Sequence, residues 1–294
     1  MKYQLIHRTK YTYNGSVTVS HHMARLTPRT LPGQRCPWHE LEIQPVPVGR
    51  GVHVDSFGNT AIYFEVEGKH DELEVTARSF VDVSPAPLQD PASTPSWESV
   101  REACQGHRLT PGSDAGVFRF ASPMVPVAPE YAAYARADFP PGRPVLEGVS
   151  ALTSRVFREF KFDPRATNVT TPVAEVFKKR AGVCQDFAHF MLACLRSLGL
   201  PARYVSGYLE TAPPPGKPRL VGADASHAWI SVFCGDAAGW VDADPTNNVL
   251  PGERHITVAW GRDFSDVSPL RGVTLGAGGQ SLSVAVDVIP VEEG

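Results

Sequence analysis

The periodicity of the apolar residues changes once along this chain, and that change limits what it can fold into. The early segments read as strands. Tyr3 to Tyr13, Ser16 to Leu26 and Trp38 to Gln44 are rich in β-branched and aromatic residues. Val52 to Asp55 and Thr60 to Val66 flank Ser56-Phe57-Gly58-Asn59, a hairpin turn signal. Glu72 to Val83 adds one more strand. Several short strands in succession predict an antiparallel β-sandwich. Prolines at 85, 87, 91 and 95 then break the pattern. Such a connector is semi-rigid, and it divides the chain into residues 1–88 and 89–294.

Beyond the connector, 101–129 is irregular, and then the period becomes helical. Val149, Leu152, Val156 and Phe160 share one face of a helix over 145–160. Thr171-Pro172 starts a second helix, which runs through Lys179. A third begins at about Cys184, with Phe187, Phe190, Met191, Cys194, Leu195 and Leu198 recurring at three and four, and Gly199-Leu200-Pro201 stops it. Residues 202–209, 228–233 and 239–244 read as strands. Helices followed by sheet predict an α+β second domain.

The 294 residues carry a net charge of -3, so there is no basic footprint for nucleic acid. No apolar run reaches a membrane-spanning length, and Met1 to Arg8 lacks the apolar core of a signal peptide. The expectation is a cytoplasmic protein with neither membrane nor nucleic-acid partners. The five cysteines are odd in number, with no C-x-x-C, which argues against a disulfide framework. A zinc site could be assembled from Cys184, His189, Cys194, His227 and Cys234, but the set lacks the tight ligand pairs of structural sites. His21 and His22 are adjacent on a strand and point to opposite faces.

The chemistry centres on Cys184. It falls in the first turn of its helix, after Ala181-Gly182-Val183. Unsatisfied N–H groups and the helix dipole there favour a thiolate, and the residue's own N–H is a natural oxyanion donor. Ser226-His227-Ala228-Trp229 supplies a base, and the strand from Gly239 supplies Asp242 and Asp244. Nucleophile, base and carboxylate are the parts of an acyl-transfer triad. The two carboxylates share one strand face, so position alone leaves both open. Cys194, deep on the apolar face of the same helix, reads as a packing residue, as do Cys36, Cys104 and Cys234. Gln185 reads as a solvent-facing residue of the helix start, and Asp186 as a partner of the helix dipole.

Four blocks, in this order, carry a family resemblance: Gly182 to His189, Gly199 to Tyr208, His227-Ala228-Trp229, and Gly239-Trp240 through Asp244-Pro245-Thr246-Asn247. With them the chain resembles the bacterial transglutaminase-like enzymes, a family also described as cysteine proteases. The tail from Ala259 to Gly272 and the segment Asp55 to Asn59 look like this family too. The resemblance implies a papain-like catalytic domain in 89–294, behind an N-terminal β-sandwich in 1–88. It implies Cys184 as nucleophile, His227 as base and Asp244, rather than Asp242, as the orienting acid. Animal transglutaminases carry a Trp directly after the nucleophile; this chain has Gln185 there.

The function expected is thiol-dependent acyl transfer at an amide, with a peptide or protein as substrate and no metal or organic cofactor required. Hydrolysis and transamidation share every step up to the thioester. Water, always present, favours hydrolysis. A non-catalytic scaffold that holds a peptide in the same cleft is the alternative of a different class. Exposed sandwich edges would permit a homo-oligomer.

Overall fold

The computed structural model describes residues 1–84, 89–105, 115–211, 226–276 and 278–291. Four strands come first: β1 (Lys2–Ala24), β2 (Gln34–Gln44), β3 (Gly49–Val54) and β4 (Thr60–Val83). The two segments expected at 3–13 and 16–26 are one continuous strand, irregular in register between Thr12 and Val19. β1 and β4 pair antiparallel along almost their whole length, from Lys2 opposite Asp82 to Ala24 opposite Ile62. β2 adds to one half of β4 and β3 to the other. Alternation decides which side chains turn inward: Tyr3, Leu5, His7 and Thr9 are buried, while Lys2 and Arg8 are exposed.

The helical segments follow. They are α1 (Trp97–Gln105), α2 (Pro129–Ala135), α3 (Val145–Glu159), α4 (Val173–Lys179) and α5 (Cys184–Ser197). The short strands β5 (Lys161–Phe162) and β6 (Ala181–Gly182) pair in parallel on either side of α4. α1 lies partly in the stretch expected to be irregular; its Trp97, Val100 and Cys104 are buried at helical spacing. α5 is buried from Asp186 through Arg196, as befits a helix enclosed on all sides. It packs on an antiparallel sheet of β7 (Ala202–Leu209), β8 (Ser226–Phe233), β9 (Trp240–Ala243) and β10 (His255–Gly261), in the order β10-β7-β8-β9.

After the short helix α6 (Phe264–Val267), the chain returns to the first sheet with β11 (Leu270–Leu275) and β12 (Gln280–Val291). β12 pairs with the first half of β1 and β11 with the second, which completes a six-stranded antiparallel sheet. The last two strands thus share the sheet of the first four, although the expected division into 1–88 and 89–294 places them in the second part. The physical reason is the edge of β1, whose N–H and C=O groups need partners. Val286 and Val288 share a core with Tyr3, Leu5, Val81 and Val83, and with Phe190, Tyr204 and Ile256 of the helical half. Residues 85–88 of the expected connector lie outside the described residues.

Polar locks join the two halves. The Gln34 amide donates to the Thr257 carbonyl and accepts from its N–H, each at 2.8 Å. The Asn59 side chain does the same with the Trp260 backbone, at 2.8 and 3.0 Å. The Arg29 guanidinium lies 3.5 Å from the centroid of the Trp260 ring. Among the described residues no helix is long and apolar enough to cross a membrane.

Candidate active site

Cys184 is the first residue of α5, behind an extended Val183. Asp186, two residues on, closes the helix start by accepting the Val183 N–H at 2.8 Å. The Thr167 hydroxyl donates to the same oxygen at 2.6 Å, tying the preceding loop to the helix. Gly182 is required beneath this cap, since a Cβ there would stand 2.5 Å from the Asp186 carboxylate. Cys184 is half-buried, whereas Cys104, Cys194 and Cys234 are buried. Gln185 is not idle at the surface: its amide donates to the Val169 carbonyl at 3.1 Å.

β8 brings His227 to Cys184. The His227 Nε2 lies 2.8 Å from Asp244 Oδ2. A carboxylate only accepts, so Nε2 carries the hydrogen and Nδ1 is the nitrogen left to serve the thiol. Burial opposes a charge on this ring. Hydrogen bonds to Asp244 and to the Cys184 sulfur outweigh burial and raise its pKa from 6.5 to about 10.

Asp244 closes β9's end, fully buried. Its Oδ1 accepts the N–H groups of Thr246 and Asn247 at 2.9 and 3.2 Å. Its Oδ2 takes His227, the Asn247 amide at 2.7 Å and His255 Nε2 at 3.0 Å. Burial pushes the carboxyl up, but the hydrogen bonds from His227, His255 and Asn247 hold it well below the usual range. Asp242, the competing acid, accepts instead from Trp229 Nε1 at 2.9 Å.

The structure thus brings Cys184, His227 and Asp244 together and sets Asp242 apart. Two neighbours escaped the sequence reading. Asn247 stands three residues after Asp244, in a block whose sequence assigns it no role. His255 opens the run Ile256-Thr257-Val258-Ala259-Trp260, a strand signal that does not say which sheet the strand joins.

The five positions weighed for zinc form no ligand cluster among the described residues; the one group of metal-capable side chains is His227, Asp244 and His255. The two histidine nitrogens sit at hydrogen-bond distance from one carboxylate oxygen, and a metal would need His227 neutral. Proton-mediated contact fits that set better. Elsewhere, a cavity of about 690 Å³ opens at the seam between the halves, lined by Arg25, Asp55, Phe57, Arg262, Asp266 and Arg271. No triad residue faces it.

Residues 3–82 match the bacterial transglutaminase-like N-terminal region, and residues 134–245 match the transglutaminase-like superfamily. The second match spans Cys184, His227 and Asp244. An uncharacterized protein of Mycobacterium tuberculosis is 43% identical over 99% of this chain and 93% of its own length. A protein-glutamine gamma-glutamyltransferase of Pseudomonas aeruginosa is 32% identical over 109 residues, 34% of this chain and 16% of that protein. Among solved structures, a "Putative Cysteine Protease" from Cytophaga hutchinsonii superposes with a TM-score of 0.74 at 18% identity, covering 100% of this chain and 92% of that one. This likeness supports a transglutaminase-like, papain-like fold.

Proposed function

Since this chain belongs to the bacterial transglutaminase-like family, we propose that it transfers the acyl group of an amide through a thioester on Cys184, with peptide or isopeptide hydrolysis as the outcome. The observation that carries the reading is His227, held at 2.8 Å by the buried Asp244 carboxylate, with the Cys184 sulfur near enough to help raise its pKa.

In the first half-reaction the Cys184 thiolate attacks the carbonyl carbon of the substrate. The oxyanion that forms lies near the start of α5, where N–H groups lack intrahelical partners. The C–N bond then breaks as His227 Nδ1 gives its proton to the leaving amine. In the second, neutral His227 takes a proton from water, the hydroxide attacks the thioester, and the sulfur departs as thiolate. Asp244 stays ionised throughout, orienting the ring and stabilising its charge. Every atom in this cycle comes from the chain, the substrate or water.

Transamidation is the second reading, favoured by the likeness to the Pseudomonas gamma-glutamyltransferase over the stretch they share. It replaces water by an amine at the thioester. Incubating the protein with a peptide library, with and without a primary amine, and reading the products by mass spectrometry distinguishes the two. Cleaved peptides support hydrolysis, and amine adducts on glutamine support transamidation. The absence of both, alongside tight peptide binding, would leave the scaffold reading.

A further inference from the structure

We infer that His255 is a positioning residue for the triad: by donating its Nε2–H to Asp244 Oδ2 it fixes the carboxylate that aims His227. This inference rests on the reading of Cys184, His227 and Asp244 as an acyl-transfer site.

The bond is 3.0 Å long and lies in a protected setting: His255 is 8% exposed and Asp244 is fully buried. A charge-assisted hydrogen bond gains strength where water is scarce. The origin of the donors matters more. Asn247 and the N–H groups of Thr246 and Asn247 belong to the turn that carries Asp244. They shape that turn, and the Asn247 amide also approaches His227 Nε2 at 3.3 Å, but none of them ties the acid to the far strand of the sheet. His255 comes from β10, whereas Asp244 follows β9, and these are the two outer strands of the sheet. The His255–Asp244 bond therefore spans the sheet and sets the acid relative to β8, which bears His227.

His255 is itself held. Its ring meets Trp229 edge-on, with centroids 5.2 Å apart. Trp229 is pinned by Asp242. Glycine at 207 makes room for this packing: a Cβ there would stand 2.1 Å from the Ile256 carbonyl and 2.5 Å from the Trp229 ring. Asp242, Trp229, His255, Asp244 and His227 thus form one connected line of side chains. The two acids share the labour, one fixing the tryptophan and the other the base. Among the described residues, the titratable groups recorded against His255 are Asp244, at 3.0 Å, and the His227 ring, at 6.0 Å between centroids.

The rate at which iodoacetamide alkylates Cys184, measured across pH in the full chain, tests this without a known substrate. His255→Phe keeps a flat ring against Trp229 but loses the donor, and His255→Gln keeps an N–H near the same place. Removal of one hydrogen bond to a charged group predicts alkylation about tenfold slower at neutral pH in His255→Phe, with His255→Gln retaining most of the parent rate. The alkaline turn of the profile, where His227 gives up its proton, should move to lower pH in His255→Phe, because a mobile Asp244 holds the imidazolium less well. Thermal melting establishes that each variant is folded. A parent Cys184 no faster than free glutathione sinks the triad reading itself. A fast parent with an unchanged His255→Phe sinks the role of His255 alone, and so does an equal loss in both variants, since the donor would then not be what counts.

Discussion

Trp229 donates its indole N–H to Asp242 at 2.9 Å, and that bond separates two carboxylates only two residues apart. The partner of Asp242 is a ring, and that of Asp244 is the base. Asp244→Asn should therefore lower any acyl-transfer rate by about 10⁴, because the amide no longer enforces the required imidazole tautomer. Asp242→Asn still offers Trp229 an oxygen, and should cost less than about 1.5 kcal/mol of stability with little change in rate. Steady-state kinetics and urea unfolding on the two variants provide the comparison. Equal loss of rate in both would remove the distinction.

Much of this site was legible in the sequence, for a physical reason. Cys184 follows a glycine turn and opens an apolar three-four repeat, so its place at a helix start follows from local pattern alone. His227 sits on a strand and Asp244 directly after one, and the alternation of both strands is local too. His255 was not legible, because its meaning lies in a bond between the two outer strands of a sheet whose order no short window encodes. The same limit applies to the returning strands. The alternation of residues 280–291 shows a strand, yet nothing in it says that the partner is β1, at the other end of the chain.

Cys184 should be the thiol that iodoacetamide finds first. Burial pushes the Cys104 and Cys234 thiols up to about 11 and 12, and raises Cys194 further still. Cys36 is half-buried and also raised by burial. A time course of labelling near pH 7, read by peptide mass spectrometry, should show Cys184 modified well before the others. Earlier labelling of Cys194 would mean that α5 opens more readily than its burial implies. Cys184→Ala should abolish activity and change stability by no more than about 1–2 kcal/mol, the common range for single substitutions.

The returning strands lead to a different kind of test. β11 and β12 cover one edge of β1, and Val286 and Val288 fill the shared core. Deleting residues 270–294 should therefore do more than trim a tail. It opens a long strand edge and a hole beneath Tyr3 and Leu5, which predicts loss of cooperative melting and a tendency to aggregate. Size-exclusion chromatography and circular dichroism on the shortened chain would show it. A monomeric, sharply melting product would mean that the first four strands are stable without their late partners.

Gly207 faces His227 across β7 and β8 and leaves no room for a methyl group. Gly207→Ala should cost about 1–3 kcal/mol, the usual range for overpacking, and more if the Ile256 carbonyl cannot shift. The displaced Trp229 should disturb His227 as well, so slower Cys184 alkylation should accompany the lower melting temperature. A variant that melts lower yet alkylates at the parent rate would uncouple the packing from the site.

The pH dependence of stability should be a dome with its top near 6.5, set by histidines shifted in opposite directions. His7, His22, His39 and His189 are lowered from 6.5 to about 4, burial being the largest cause for each. Above pH 6.5 neither the folded nor the unfolded chain protonates them, and their contribution is complete. As pH falls from 6.5 toward 4 the unfolded chain takes up protons that the folded chain refuses, and stability declines. His227 works the other way. Its folded pKa of about 10 exceeds the unfolded value, so its contribution is full below 6.5 and is lost as pH rises through 10. Urea midpoints measured from pH 4 to 10 trace both limbs. Two variants assign them. His22 is buried with neither ring nitrogen hydrogen-bonded, so His22→Leu should make the acid limb shallower at little cost near neutrality. Asp244→Asn removes the charge that raises His227, and should flatten the alkaline limb while leaving the acid one in place. An acid limb of unaltered steepness in His22→Leu would show that this ring already finds a proton in the folded chain.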